Sequence, residues 1–439
     1  RKKLILAWEC QRYKAFKETN QIKMNKQARR RIFRRAEEME ESVMKYNFDE
    51  VIDRKGTHAV KVERLPKGAD KDSLALWVAD MDFACAEPIL KALHERIDRK
   101  IFGYTMYDAD ECMDAVTGWM KKRYGWEESR ENLFFCPGVV AAYAALINLL
   151  TEPGDGIVLQ RPIYYPFTNK ANSNGRIPVD NALIYENGAY RIDFEDLDKK
   201  MADPANKVLV VCSPHNPTGR VWTEDELKKT VEICKKYDKW IICDEIHCDL
   251  IRRGVTFTPI MNVAPEYADH IVVCTAPSKT FNLAGMKTSN IVIHNKELQK
   301  KWKDYVNGSL SMDGASALGM TAMIAAYTEG EEWLEQLKDY LDGNFAYIDE
   351  YLKKYLPKAH LVKAEGTYLA WLDLNGYVDR DEKKLEELMQ KKAKVALDEG
   401  YIFGDEGRGF ERINVASPRS VIEECMNRIR TAFEEEKLV

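Results

Sequence analysis

The stretch TAPSKTFNLAG places Ser278 and Lys279 directly after HIVVCTA, a run rich in Val and Ile. A lone lysine is ordinarily a solvated surface charge. Loops at the carboxyl ends of parallel strands, however, host ligands in open α/β sheets, and a lysine desolvated in such a crevice can form a Schiff base with a carbonyl compound. Asp244, in WIICDEIHCDL, stands at the same kind of place. A carboxylate there is costly unless donors or a cation satisfy it. A helix N-cap or an ion pair would do so, and so would a protonated ring nitrogen. His247, three residues on, either faces the same site or packs as a core histidine.

Three further motifs follow strand-like runs or lie on one. SPHNPTG, residues 213–219, comes after KVLVVC and carries turn signals in Asn-Pro and Thr-Gly. Between Pro214 and Pro217 the Asn216 amide is also a rigid hydrogen-bond donor. In CPGVVAAY, Gly138 and Val139 open a helix after FFC, which would turn backbone N–H groups and the positive end of the helix dipole toward a phosphate. Arg412, in GFERINVASPRS, is either one half of a salt bridge or a bidentate clamp for a carboxylate.

The elements that must hold these residues have two textures. From about Ala86, amphipathic stretches (EPILKALHERIDRK, DADECMDAVTGWMKKRYG) give way to short apolar runs: GIVLQ, KVLVVCS, KWIICDE, HIVVCTA and SNIVIH. Continuous apolarity suits strands buried on both faces, as in a parallel sheet flanked by helices. Between two of them, TEDELKKTVEICKKYDK opens on Thr223 with Glu226 three residues later, a capping box. From about Glu329 the chain turns charge-rich: a long helix to about Tyr355, a strand TYLAWLDL, a helix DEKKLEELMQKKAKVALDEG, a strand FERINVAS and a last helix. This predicts an α/β fold with a large, mainly parallel sheet domain over 86–328 and a smaller α+β domain over 329–439. Residues 44–85 are expected to join the small domain, and 1–43 to be a basic extension outside the fold.

Composition narrows the function classes. The 439 residues are 45% hydrophobic and 31% charged, ordinary for a core-forming chain of two or three domains. The longest largely apolar stretch, Val139 to Leu150, is too short to cross a bilayer. Ten Cys without a CxxC pair form no disulfide framework, and Cys212, Cys243 and Cys274 lie within apolar runs, which points to a reduced, cytoplasmic setting. Seven His, none at ligand spacing with Cys or another His, argue against a zinc site.

Taken together and in order, SPHNPTG, DEIH, SKTFNLAG and FERINV resemble the pyridoxal-phosphate enzymes of the aspartate-aminotransferase fold. YNFDEVIDRKGTHAVK, WVADMDFA, FGYT, DEIHCDL and GDEGRGF resemble the MalY/PatB branch, the cystathionine β-lyases and related C–S lyases. The resemblance implies pyridoxal 5'-phosphate as cofactor and a role for each residue. Lys279 matches the Schiff-base lysine that later moves the Cα proton. Asp244 matches the partner of the pyridine nitrogen, which it keeps protonated so that the ring acts as an electron sink. Asn216 matches the donor to the phenolic oxygen and Tyr164, in RPIYYPF, the ring that stacks on the cofactor, with Tyr165 one register away. His247 stands where many aminotransferases carry Tyr. Gly138, Val139, Ser278 and Lys287 match the phosphate cradle; Lys287 replaces the Arg of many relatives and loses its bidentate fork. Tyr104 matches a residue reaching the neighbouring subunit's phosphate, which implies a homodimer, and Arg412 matches the clamp on the substrate carboxylate. The implied reaction is α,β-elimination: a thiolate leaves Cβ, and with L-cystathionine the products are homocysteine, pyruvate and ammonia. An aminotransferase shares every one of these residues and is the nearest alternative. A DNA-binding regulator with a degenerate aminotransferase domain is a third, disfavoured because 43 residues are too few for a winged-helix module.

The net charge of −5 conceals an asymmetry: residues 1–43 hold 13 Lys and Arg against 6 Asp and Glu, so the rest carries −12. The branch's typical opening, M-K-Y-N-F-D-E, begins at Met44, and Glu40-Glu41 just before it imply purine-rich codons at ribosome-binding spacing. Residues 1–43 are therefore expected to be a translated upstream region, with a genuine extension or a transit peptide (a helix over about 25–44) as the alternatives. No nucleic-acid or membrane partner is expected.

Overall fold

The apolar runs do become strands of one sheet. In the computed structural model, which describes residues 45–439, these are β1 (Leu133–Cys136), β2 (Gly156–Arg161), β3 (Ile177–Ala182), β4 (Asn206–Cys212), β5 (Trp240–Asp244), β6 (Ile271–Thr275) and β7 (Ser289–Ile293). The basic extension and the helix expected at its end lie outside the described residues. The sheet order is β1-β7-β6-β5-β4-β2-β3, and the five strands from β6 to β3 are parallel. β7 runs antiparallel to both β6 and β1. The run SNIVIH thus belongs to the sheet against the parallel direction, because apolarity reports burial on two faces and not strand direction.

One face of the sheet is covered by α1 (Val139–Leu150), whose Ala142, Leu146 and Ile147 are fully buried against Ile157, Leu159, Val208, Val210 and Ile242. At about 1.5–3 kcal/mol for each fully buried aliphatic side chain, this layer is what fixes the strand ends carrying the polar motifs. The helix α2 (Glu224–Lys236) has the expected capping box at Thr223 and Glu226 and buries Leu227, Val231 and Cys234. Cys212, Cys243 and Cys274 are buried free thiols of the strands.

A second, antiparallel sheet comprises β8 (His360–Leu361), β9 (Leu369–Asp373), β10 (Asp398–Glu399) and β11 (Phe410–Asn414) in the order β8-β9-β11-β10. The long helix Glu331–Tyr355 and the last helix Arg419–Glu435 pack beside it. One expectation fails here. DEKKLEELMQKKAKVALDEG is not a single helix: it is helical from Glu382, widens into a π-helical turn over Glu387–Ala393 and ends at Lys394, φ 52°. Val395–Ala396 then pairs in parallel with Leu74–Ala75, and Asp398–Glu399 forms β10. The apolar residues at 395–397 are consecutive and all buried, a pattern that suits a short buried strand and breaks helical spacing. Residues 48–439 form one compact unit. Among the described residues no helix is long and apolar enough to cross a membrane.

Candidate active site

A cavity of about 250 Å³ opens at the carboxyl ends of β4, β5 and β6, and nine of the eleven expected residues line it: Gly138, Val139, Tyr164, Asn216, Asp244, His247, Ser278, Lys279 and Lys287. Asp244 ends β5 and its neighbours in register are Cys212 and Cys274. Lys279 lies on the single helical turn Pro277–Thr280 that follows β6. That turn is fastened from beneath: Thr280 Oγ1 donates to Asp249 at 2.8 Å, and the same buried carboxylate accepts from Trp119 Nε1 at 3.1 Å.

Arg412 sits beside this cavity, 2% exposed, projecting from β11. Its Nη1 donates to Asn216 Oδ1 at 3.0 Å and its Nη2 to the Trp77 carbonyl at 2.9 Å and to the carboxylate of Asp398. The guanidinium also lies over the Phe403 ring, 4.9 Å from its centroid. Asn216 therefore spends its carbonyl oxygen on Arg412, and its backbone carbonyl accepts from the Tyr164 N–H at 3.0 Å. Tyr164 faces the cavity, while Tyr165 turns toward Phe403, 5.9 Å between centroids. Tyr104 alone stands apart. It is fully exposed, and this chain does not bring it to the cavity.

Burial sets the protonation pattern. The Lys279 ammonium is pushed down to about 8, by desolvation first and the Arg412 charge second, against the pull of Asp80 and Asp244. Burial raises Asp244 to about 7, although the Ile246 N–H (3.1 Å) and Lys279 favour its charge. His247 is held neutral, well below its usual value, by burial and by Lys279 and Arg412; its Nδ1 is buried without a partner. The cavity thus brings a readily deprotonated amine, a carboxyl balanced between its two forms and a fixed guanidinium to one place. That set can remove a proton next to a bound carboxylate.

At the other end of the cavity the groups favour an anion. Gly138 has φ +156°, ψ 150°, a conformation that L residues avoid, and a Cβ there would meet open space. No side chain caps α1, so its first N–H groups have no side-chain partner at the point where Gly138 and Val139 line the cavity. Ser278 and Lys287 line the same wall, and Thr288 beside them has a buried Oγ1 with no partner.

Besides Thr288, four groups around Lys279 and Arg412 are not marked by the sequence. Lys279 Nζ donates to the Ala79 carbonyl at 2.6 Å, as does Tyr368 OH at 2.8 Å. Trp77 offers Arg412 its carbonyl, and Asp398 its carboxylate. Two of the four act through the backbone, which leaves no mark in residue type. Asp398 was hidden in a stretch read as helix.

Residues 71–429 match the family model for class I and II aminotransferases. The cystathionine β-lyase PatB of Bacillus subtilis strain 168 is 40% identical over 388 residues, 88% of this chain and 100% of that protein. Protein MalY of Escherichia coli K12 is 32% identical over 380 residues, 86% of this chain and 96% of that one. The PLP-bound C–S lyase from Staphylococcus hominis superposes with a TM-score of 0.83 at 39% identity, covering 88% of this chain and 98% of that structure. With that match across the sheet and the cavity-lining motifs, the chain belongs to the class I and II aminotransferase family.

Proposed function

We propose that this protein is a pyridoxal-phosphate-dependent C–S β-lyase that cleaves L-cystathionine or related cysteine S-conjugates to a thiol, pyruvate and ammonia. One observation carries the reading: a half-buried, readily deprotonated Lys279 shares its cavity with Asp244 and borders an Asn216–Arg412 pair, in a chain 40% identical to a cystathionine β-lyase along that protein's whole length.

The residues fit the cofactor. A phosphate suits the uncapped helix start at Gly138 and Val139, with Ser278, Lys287 and the unpartnered Thr288 hydroxyl around it. Asp244, buried with one backbone donor, lacks the cationic partner that a protonated pyridine nitrogen would provide. Tyr164 offers a ring face, and the Asn216 amide group and His247 border the same space. When bound, the cofactor supplies an electron sink for the pair left behind by a departing Cα proton. The protein's own groups do the rest. Arg412 takes the substrate carboxylate in its guanidinium fork, helped by Asn216. Lys279, whose pKa is lowered to about 8 so that a substantial fraction is already deprotonated near neutral pH, accepts the Cα proton at Nζ. The Cβ–S bond then breaks with its electron pair on sulfur, and the wall of apolar residues excludes water from the carbanion-bearing carbon.

A second copy completes the arrangement in this reading. Ile101, Phe102, Tyr104 and Met106 form an exposed apolar stretch, with Tyr104 standing clear of its own chain's cavity. That supports a homodimer in which Tyr104 reaches the partner's phosphate site. Residues 86–328 as the cofactor-bearing domain, and 44–85 with 329–439 as the smaller one, remain part of the proposal. Incubating the holoenzyme with L-cystathionine tests the activity: pyruvate and free thiol should appear in equal amounts. Transamination of amino-acid and keto-acid pairs with no pyruvate from cystathionine would refute the lyase reading in favour of an aminotransferase.

A further inference from the structure

Two basic groups of the site, Lys279 and Arg412, lean on one irregular piece of backbone, residues 77–82. Lys279 donates to the Ala79 carbonyl at 2.6 Å and Arg412 to that of Trp77 at 2.9 Å. Tyr368 shares the Ala79 carbonyl, and Asn414 takes those of Val78 and Asp80 at 2.7 and 2.5 Å. Every carbonyl from 77 to 80 is thereby turned inward. A backbone segment outside regular structure does not hold four carbonyls in one direction by itself.

Its outer edge is gripped by charge. Arg54 embraces the Asp80 carboxylate with two nitrogens at 2.9 and 2.7 Å and reaches Asp82 at 2.9 Å. Lys61 is 0% exposed and donates to Asp82 Oδ2 at 2.6 Å, where Ser417 Oγ also donates at 2.6 Å. Trp77 returns the contact by donating Nε1 to the Lys61 carbonyl at 2.9 Å. A lysine with no exposed surface has given up its hydration, a cost that its pairing offsets while tying down whatever bears the partner carboxylate. Here the thing held is the segment under the two reactive cations. Despite its partial burial, Asp82 is kept below its ordinary carboxylate range by Lys61, Ser417 and Arg54, so it stays ionised at neutral pH.

We propose that Lys61, acting through Asp82, is a positioning residue that fixes residues 77–82 and thereby sets the places of Lys279 and Arg412. The inference rests on the lyase reading for its substrate. Misplacing two groups at once should weaken carboxylate capture and slow proton removal together, a combination that loss of folded protein cannot imitate.

The test compares holoenzyme of wild type, Lys61→Met and Lys61→Arg, each corrected for bound cofactor. An α-methyl amino acid, which has no Cα proton to lose, is titrated against the bound cofactor's visible absorbance to read binding alone. Steady-state kinetics with Cα-protonated and Cα-deuterated substrate read proton removal. Lys61→Met should bind the α-methyl ligand ~10-fold more weakly, lose ~10-fold in kcat and show a larger deuterium effect, with Lys61→Arg returning each to within ~3-fold of wild type. If Lys61→Met yields no folded holoenzyme, Arg54→Gln, on the outer side of the grip, should give the same changes at ~3-fold. A folded variant with a lower Tm but wild-type ligand affinity, kcat and isotope effect would overturn the proposal. Failure of the lyase reading is visible separately, as a wild type that releases no pyruvate.

Discussion

Asp244 gives the sharpest test of how the site is built, because the same carboxylate should harm the empty protein and serve the loaded one. In the folded chain it holds its proton up to about pH 7, against an ordinary value of 3.8. Below the unfolded value its contribution to stability is fully present, and it is lost as pH rises through about 7. A displacement of about three pK units at ~1.4 kcal/mol each makes the fully ionised, buried carboxylate cost roughly 4 kcal/mol above that range. Asp244→Asn removes the charge but leaves a buried amide short of partners, which costs ~1–3 kcal/mol at every pH. Cofactor-free Asp244→Asn should therefore be more stable than cofactor-free wild type by ~1–3 kcal/mol at about pH 8.5, and equal or less stable at about pH 5. Glu245, raised to about 8 by burial, titrates in the same window and feels the Asp244 charge, so the difference between the two proteins reports Asp244 together with its coupling to Glu245. Thermal unfolding from pH 5 to about 9 measures it, repeated with pyridoxal phosphate added. The cofactor should then stabilise wild type more than the variant, reversing the order at high pH. A stability difference independent of pH, or a variant less stable than wild type throughout, would show that Asp244 is satisfied without a cationic partner.

Other expectations are simpler. Lys279→Ala should abolish pyruvate release and leave cofactor that dialysis removes completely, seen as loss of visible colour and of borohydride-fixed label. Arg412→Lys keeps the charge but gives up the fork and the contact with either Asn216 or Asp398; KM for the amino acid should rise ~10–100-fold, with a smaller fall in kcat. Tyr104→Ala, on a fully exposed side chain, should leave Tm within about 1 °C yet weaken cofactor retention ~10-fold if the residue serves the partner's site, and leave both unchanged if it does not.

Much of this architecture could be read without coordinates, and the reasons are specific. Runs such as KVLVVC and WIICD are apolar on both faces because the sheet is covered on both, so residues at their ends were marked as site candidates by position alone. IPVDNA, which becomes the edge strand β3, is largely exposed and breaks its apolar run at Asp180 and Asn181, so it gives no such signal. The direction of β7 was illegible for a related reason: antiparallel and parallel strands bury the same side chains. Within the site, side-chain chemistry was legible and its support was not. Asp398 looked like one acid among many in a charged helix until the chain's turn at Lys394 carried it to Arg412. WVADMDFA stands out as a motif, but the work of Trp77 and Ala79 is done by carbonyls that any residue possesses.

The hydrogen bonds that orient the site join distant parts of the chain: Lys279 to a carbonyl 200 positions earlier, Arg412 to one 335 positions earlier. During synthesis, β4 to β7 and their covering helix can assemble while residues 400 onward are still being added. Lys279 would then exist in a formed crevice with no arginine opposite it. Only when Phe410–Asn414 emerges and slots between β9 and β10 do Arg412 and Asn414 draw residues 77–80 over the opening. Such distant contacts form only after long loop closures, which slow folding, so the parts that enclose the reactive lysine depend on the last residues of the chain to be made.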